Sequence, residues 1–107
     1  MSDCIFCKII NNEIPSTKIF ENEHVLAFND INPEAPVHIL VIPKAHYKSI
    51  LEIEDMNIIS EMHKAIKIIV KEKNIDQSGF RLVNNCGQDA NQLVDHIHYH
   101  ILGGKKL

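Results

Sequence analysis

The last part of the chain contains three histidines that alternate with apolar residues: His96, His98 and His100. Successive side chains of a β-strand point to opposite faces, so this spacing puts all three imidazoles on one face, with steps of roughly 7 Å. The intervening residues are apolar or aromatic and suit a hydrophobic core. We therefore predict a strand from Asp95 to Leu102, in a sheet that has one reactive face and one face packed against the core.

Two kinds of chemistry fit these clustered imidazoles. All three can ligate one metal, because alternate strand residues can converge on zinc. Alternatively, one neutral imidazole attacks a phosphorus atom while its neighbours fix its tautomer and bind oxyanions. The polar loop from Asn84 to Gln92 favours phosphate, since it offers amide donors and a flexible Gly87 for a nest of backbone N–H groups around an anion.

A Cys-x-x-Cys pair, Cys4 and Cys7, is half of a zinc site. His38, His46 and His96 are the candidates for the two missing ligands. A redox-active pair and two unconnected core thiols are the alternatives. The chain has three cysteines, an odd number, and no secretory signal is evident at its start, which argues against a disulfide framework and favours a reducing, cytoplasmic setting.

Composition restricts the partners. A length of 107 residues predicts a single domain, residues 1–107. The formal net charge of -3 and the scattered basic residues argue against nucleic acid and against a membrane surface as partners. The sequence contains no apolar run long enough for a transmembrane helix.

The remaining periodicities predict an α+β fold with an antiparallel sheet and helices packed against it. Apolar residues recur at helical spacing between Ile58 and Val70, which predicts one long helix. A short helix and further strands are predicted at Ile5–Ile10, Lys18–Glu21, His24–Asn29, Val37–Ile42 and Phe80–Asn84.

The sequence resembles one family along nearly its whole length. His96–Leu102 matches the histidine triad pattern His-φ-His-φ-His-φ-φ, in which φ is apolar. Further similar segments stand in the family's order: Asp3–Ile10 followed by Glu13-Ile14-Pro15, then Phe28–Pro33, then His38–His46. Within the histidine triad (HIT) family the chain most resembles the histidine triad nucleotide-binding branch, HINT, in its zinc-binding bacterial form.

This resemblance implies a five-stranded antiparallel sheet with two helices, and a homodimer. It also implies an enzyme that cleaves a purine nucleoside phosphoramidate or a similar adenylated compound and releases the nucleoside monophosphate. His98 would attack the phosphorus and carry the nucleotidyl group. His100 and His38 would bind phosphate oxygens and orient the site.

The resemblance also implies the binding residues. Asp30 would hold the ribose hydroxyls, and Asn85 and Gln92 would be polar neighbours of the sugar and phosphate. The apolar pocket for the purine would be formed by Ile5, Phe6, Ile9, Phe28 and Ile31. Structural zinc would be held by Cys4, Cys7, His46 and His96.

One position departs from the family pattern: Leu93 stands where relatives usually carry the serine of a Gly-Gln-Ser segment. Leu93 has no hydroxyl to assist a leaving amine, so a nucleotide-binding adaptor with vestigial catalysis stays open as an alternative. A dinucleoside polyphosphate hydrolase is another alternative. A metalloenzyme with all three triad histidines on one metal is a third.

Overall fold

The computed structural model describes residues 3–107 and contains one five-stranded antiparallel sheet. The strand order is β1-β2-β3-β5-β4, and every neighbouring pair is antiparallel. The expected α+β architecture with two α-helices is confirmed. In chain order the elements are α1 (Ile5–Ile10), β1 (Lys18–Glu21), β2 (Val25–Asn29), β3 (Val37–Pro43), α2 (Asn57–Glu72), β4 (Phe80–Val83) and β5 (Tyr99–Gly103).

The two helices cover opposite faces of the sheet. Alternate residues of β2 and β3 point to opposite faces, and both sets are buried. The set on one face packs against the apolar stripe of α2: Val25, Ala27, Ile39 and Val41 with Met62, Ala65, Ile66 and Ile69. The set on the other face packs against α1: Leu26, Phe28, Leu40 and Ile42 with Phe6 and Ile9. Strands β2 and β3 are therefore buried on both faces. Helix α1 covers the face that carries the histidines.

The helix boundaries follow from local capping. Asp55 Oδ1 accepts the N–H of Asn57 at 3.0 Å, at the first residue of α2. After α2, Asn74 has φ 59°, a left-handed conformation that asparagine tolerates and that stops the helix. The much shorter α1 begins after Cys4, whose Sγ accepts the N–H of Cys7 at 3.3 Å. A thiol that caps a helix in this way is already turned toward the second cysteine.

The triad strand is shorter than the prediction from Asp95 to Leu102. In the structure β5 begins at Tyr99, so that prediction was wrong for residues 95–98. Instead of joining the sheet, Ile97 donates its N–H to the carbonyl of Tyr47 at 2.7 Å. The neighbouring strand β3 ends at Pro43, and proline has no N–H for a further step of the ladder. Among the triad histidines only His100 lies in a strand.

Other strand boundaries shift by one residue. His24 precedes β2, and Asn84 follows β4, whereas Pro43 belongs to β3. Over the described residues 3–107, no helix has both the length and the apolar composition that crossing a bilayer requires.

Candidate active site and metal centre

Two cysteines and two histidines converge where α1 meets the segment before β5. The ligand atoms of Cys4, Cys7, His46 and His96 all lie within 4.8 Å of one another. Cys4 Sγ is 3.4 Å from His96 Nδ1, and Cys7 Sγ is 3.3 Å from His46 Nδ1 and 3.7 Å from His96 Nδ1. These four residues are brought together from three separate parts of the chain.

The separations fit a tetrahedral metal. With zinc–sulfur and zinc–nitrogen bonds of about 2.3 and 2.0 Å, tetrahedral geometry separates the two ligand atoms by about 3.5 Å. The three sulfur–nitrogen distances bracket this value. Burial, with a contribution from the neighbouring Cys4, raises the pKa of the Cys7 thiol to about 11, so this thiol resists ionisation unless a cation is bound. A donor set of two cysteines and two histidines suits zinc.

The hydrogen bonds of His96 prepare it as a ligand. His96 is fully buried, and its Nε2–H donates to the carbonyl of Pro43 at 2.8 Å. This bond fixes the tautomer and leaves the lone pair of Nδ1 directed at the two sulfurs. Burial lowers the pKa of His96 to about 4, which keeps the ring neutral, as metal ligation requires.

His98 is held in the opposite orientation. Its Nδ1 lies 2.8 Å from the carbonyl oxygen of His96, so we assign the proton to Nδ1, which donates to that oxygen. The lone pair is then on Nε2. Burial lowers the pKa of His98, which favours the neutral, nucleophilic ring. Phe6 fixes the ring further by an edge contact, with centroids 5.1 Å apart.

His38 and His100 form a directed chain of hydrogen bonds. The backbone N–H of Glu34 donates to His38 Nδ1 at 3.0 Å, so the proton of His38 is on Nε2. That Nε2–H faces His100 Nδ1 at 2.9 Å and lies 3.4 Å from a carboxylate oxygen of Asp30. Because Nδ1 of His100 accepts, its Nε2 carries a proton that can be donated outward. Burial lowers the pKa of His100, with a smaller contribution from the neighbouring histidines.

A cavity of about 260 Å³ opens beside these histidines. Its walls are mainly apolar, and its few polar side chains include His98, His100 and Asp30. Five residues expected to form an apolar pocket line it: Ile5, Phe6, Ile9, Phe28 and Ile31. Phe6 and Phe28 are buried and meet edge to face at 5.5 Å, whereas Ile31 is 90% exposed at the rim. The cavity can take a flat apolar group at one end and an anion at the other.

Comparison with known proteins identifies the family. A family model described as scavenger mRNA decapping enzyme C-term binding matches residues 3–106. A 14 kDa zinc-binding protein of Brassica juncea is 42% identical over 109 residues, which cover 98% of this chain and 96% of the relative. The chain belongs to the histidine triad (HIT) family. The resemblance to the HIT family stated from the sequence is thereby confirmed.

Solved structures of HIT proteins have the same fold. A histidine triad protein from Clostridium difficile is 61% identical, with a TM-score of 0.96 over 100% of this chain and 95% of the other. A HIT family hydrolase from Clostridium thermocellum is 47% identical, also with a TM-score of 0.96 and the same two coverages.

Two polar residues that the sequence predicts in the binding site, Asn85 and Gln92, do not line the cavity. The carboxamide of Gln92 accepts the N–H of Gly87 at 2.8 Å and donates to the carbonyls of Lys48 and Val94. Gln92 therefore holds the loop before the triad in place. Asn85 is half-buried just after β4 and makes no side-chain hydrogen bond among the described residues 3–107.

The sequence reasoning missed Asn84. Its Nδ2 donates to the carbonyl of His98 at 2.9 Å, and its Oδ1 accepts from the thiol of Cys86 at 3.1 Å. Asn84 and His98 are 14 positions apart in the sequence, and they come into contact only because β4 pairs with β5. A lone asparagine in a polar loop gives no signal of such a contact.

The sequence reasoning also missed Leu40 as part of the cavity wall, to which Leu93 contributes as well. Leu40 lies opposite His100 in the sheet, and alternation from His38 within β3 could have placed it on this face. Leu93 is 89% exposed at the cavity mouth.

Proposed function

We propose that this protein is a nucleotide-binding hydrolase in which His98 is the nucleophile. The observation that supports the proposal best is the orientation of His98 beside the cavity. Its Nδ1–H donates to the carbonyl of His96, so the unprotonated Nε2 is available for attack on a phosphorus atom in the cavity. A buried imidazole with a lowered pKa keeps that lone pair at neutral pH.

The substrate we propose is a purine nucleoside phosphoramidate or a similar adenylated compound. The apolar end of the cavity takes the purine, with Phe6 and Phe28 against the ring. Asp30 accepts hydrogen bonds from the ribose hydroxyls, since a carboxylate offers two acceptor oxygens. The phosphate lies at His98 and His100, which both line the cavity.

The reaction proceeds by two displacements at phosphorus. First, His98 Nε2 forms a bond to phosphorus, the bond to the leaving amine breaks, and the amine nitrogen takes a proton from water. Then a water oxygen attacks phosphorus and gives up a proton to the solvent, the phosphorus–Nε2 bond breaks with its electron pair returning to Nε2, and the nucleoside monophosphate leaves. The Nε2–H of His100 donates to a phosphate oxygen throughout, and His38 holds His100 in the donating tautomer.

A structural zinc ion is part of the proposal. Cys4, Cys7, His46 and His96 would hold it, and it would supply a cross-link between α1 and the segment that leads into the triad. Thiolate ligands persist in a reducing compartment, so we propose a cytoplasmic setting. We also propose that the protein is a homodimer.

The test is to trap the covalent intermediate. The protein is mixed with an adenosine phosphoramidate, quenched within one turnover and analysed by peptide mass spectrometry. We expect an adenylyl adduct on His98, and loss of both adduct and turnover in His98→Ala with an unchanged circular dichroism spectrum. His24→Asn, a change of an exposed histidine outside the cavity, is the matched control and should retain both. An adduct elsewhere, or full activity in His98→Ala, would show that the nucleophile is wrong.

Leu93 favours a second candidate, a nucleotide-binding adaptor with vestigial catalysis. An exposed leucine at the cavity mouth provides no donor for a leaving amine. Micromolar binding of adenosine monophosphate together with no measurable turnover of any adenylated compound would select this candidate over the hydrolase.

A further inference from the structure

One polar group in the cavity wall has no partner. The hydroxyl of Ser16 is buried, and within residues 3–107 it is the only buried side-chain oxygen or nitrogen without a hydrogen bond. Ser16 lines the cavity in the segment between α1 and β1. A buried hydroxyl without a partner destabilises the folded protein, so the unpaired hydroxyl of Ser16 requires a physical explanation.

The order of strands places Ser16 at the end of the cavity away from the histidines. His100 lies on β5 and His38 on the next strand, β3. Asp30 follows β2, and its N–H donates to the carbonyl of His38 at 3.0 Å. Ser16 precedes β1, the outermost strand, and the adjoining Thr17 carbonyl accepts the N–H of Asn29 at 3.0 Å.

Proceeding across the sheet, the cavity therefore presents imidazoles, then a carboxylate, then a hydroxyl. Two strand spacings, about 10 Å, separate β3 from β1. A nucleotide has its groups in the matching order of phosphate, ribose and base. Ser16 consequently lies where the polar edge of the base would lie, beyond the ribose.

The other side chains at this end are almost all apolar, including Phe6, Ile9, Ile14 and Phe28. Such walls contact the flat face of any purine and cannot distinguish one base from another, because discrimination requires hydrogen bonds to the base edge. A serine hydroxyl both donates and accepts, and rotation about the Cα–Cβ bond turns it from its buried position toward the cavity when a partner is present there.

We infer that Ser16 hydrogen-bonds to the edge of the bound base and contributes to base recognition. This inference rests on the proposed nucleotide site and adds a residue that recognises the base to it. A ring nitrogen of the base takes the hydroxyl proton, or an exocyclic amine donates to the hydroxyl oxygen. The hydroxyl is unpaired without nucleotide because its partner arrives with the ligand.

The experiment compares Ser16→Ala with the parent protein by calorimetric titration, using adenosine monophosphate and ribose 5-phosphate as probes. We expect Ser16→Ala to weaken adenosine monophosphate binding by about 2- to 12-fold, the range for one neutral hydrogen bond. Ribose 5-phosphate has no base, so its affinity should not change. Thr17→Ala removes the neighbouring, exposed hydroxyl and is the matched control, which should bind both probes like the parent.

The thermal stability of the ligand-free protein gives a second measurement. Since Ser16→Ala removes an unpaired buried hydroxyl, we expect an unchanged or slightly higher Tm. A merely structural serine would lower Tm and weaken both probes alike, and this result would overturn the inference.

Equal affinity of Ser16→Ala and the parent for adenosine monophosphate would also overturn the inference, while an adduct on His98 would leave the proposed hydrolase standing. No binding of adenosine monophosphate to the parent protein would overturn both.

Discussion

At the scale of single residues, hydrogen bonds give chemically identical imidazoles different tautomers, so each ring presents a different nitrogen or proton to its surroundings. His96 donates from Nε2 and exposes Nδ1, whereas His98 donates from Nδ1 and exposes Nε2. His100 accepts at Nδ1 and is left with a donor at Nε2. Each tautomer follows from one carbonyl or one imidazole partner, so the surroundings of a ring decide whether it serves as metal ligand, nucleophile or phosphate donor.

Substitution of Asn84 tests whether its hydrogen bond holds His98 in position. Asn84→Ala removes the hydrogen bond to the His98 carbonyl and leaves unchanged every side chain that we propose to contact substrate. We expect kcat to fall by about tenfold or more with little change in KM, because small displacements of a nucleophile reduce reactivity more than binding. Steady-state kinetics on an adenosine phosphoramidate measure this.

Cys86→Ala provides a graded control for that prediction. It removes only the weak thiol donor to Asn84, so the fall in kcat should be smaller. Equal kcat values for Asn84→Ala and the parent would contradict a positioning role.

Leu93 can be replaced at little structural cost because its side chain is almost fully exposed. We expect Leu93→Ser to raise kcat for substrates with an amine leaving group by about tenfold, which is below the roughly hundredfold lower end of the range for an optimally positioned proton donor. Substrates with a phosphate leaving group, which need no such proton, should change little. Leu93→Ala is the control, because it shortens the side chain without adding a hydroxyl and so shows how much of any change in kcat comes from the smaller side chain alone. An identical rise in Leu93→Ala would show that the hydroxyl is not responsible.

At the scale of elements, the proposed zinc site would explain how a six-residue helix keeps its place. Isolated helices of this length are unstable in water, and α1 buries only Phe6 and Ile9. Those two side chains form one wall of the cavity, so the order of α1 and the shape of the cavity depend on each other. With zinc bound, the proposed ligands from α1, from the segment after β3 and from the start of the triad would give this helix a second anchor.

Removing the metal should therefore loosen α1 first. We expect Cys4→Ser/Cys7→Ser to lose bound zinc and to lower Tm by roughly 10 °C or more, in view of the stabilisation that structural zinc gives small domains. Hydrogen exchange should increase most in residues 4–14. Metal analysis and calorimetry provide the measurements, with Cys86→Ser as the control that keeps its zinc. Retained zinc in the double variant would indicate a different donor set.

At the scale of the whole molecule, the outer edge of β4 is the feature that suggests a second subunit. This strand pairs with β5 on one side only, and at the other side it is the sheet edge among the described strands. Phe80 and Leu82 point to one face and are 39% and 37% exposed. Exposed apolar residues on an edge strand favour pairing with another strand. The proposed homodimer would continue the sheet from β4 to its symmetry mate.

A charge on this edge should separate the subunits. We expect Leu82→Lys to be monomeric in sedimentation velocity at concentrations where the parent protein is dimeric, since burying a lysine in an apolar interface is costly. Leu51→Lys, at a 90% exposed position away from the sheet, should stay dimeric. A parent protein that is monomeric at tens of micromolar would contradict the homodimer.

Most of the architecture could be predicted because it depends on local periodicity. The apolar stripe of α2 and the largely apolar runs of β2 and β3 are properties of neighbouring residues, and each predicts its element within a residue or two. The exception, the start of β5, depended on where β3 ended, which is not a local property of residues 95–98.

The sequence by itself determined the candidate residues: an alternating histidine run, a cysteine pair and a carboxylate before a turn. Only the tertiary structure decided how these residues are arranged and which atoms each of them presents. Contacts across 92 positions, as between Cys4 and His96, or across 14, as between Asn84 and His98, depend on strand order and on helix placement. Likewise, the tautomer of a ring and the absence of a partner for Ser16 depend on atoms that only the folded chain brings near them.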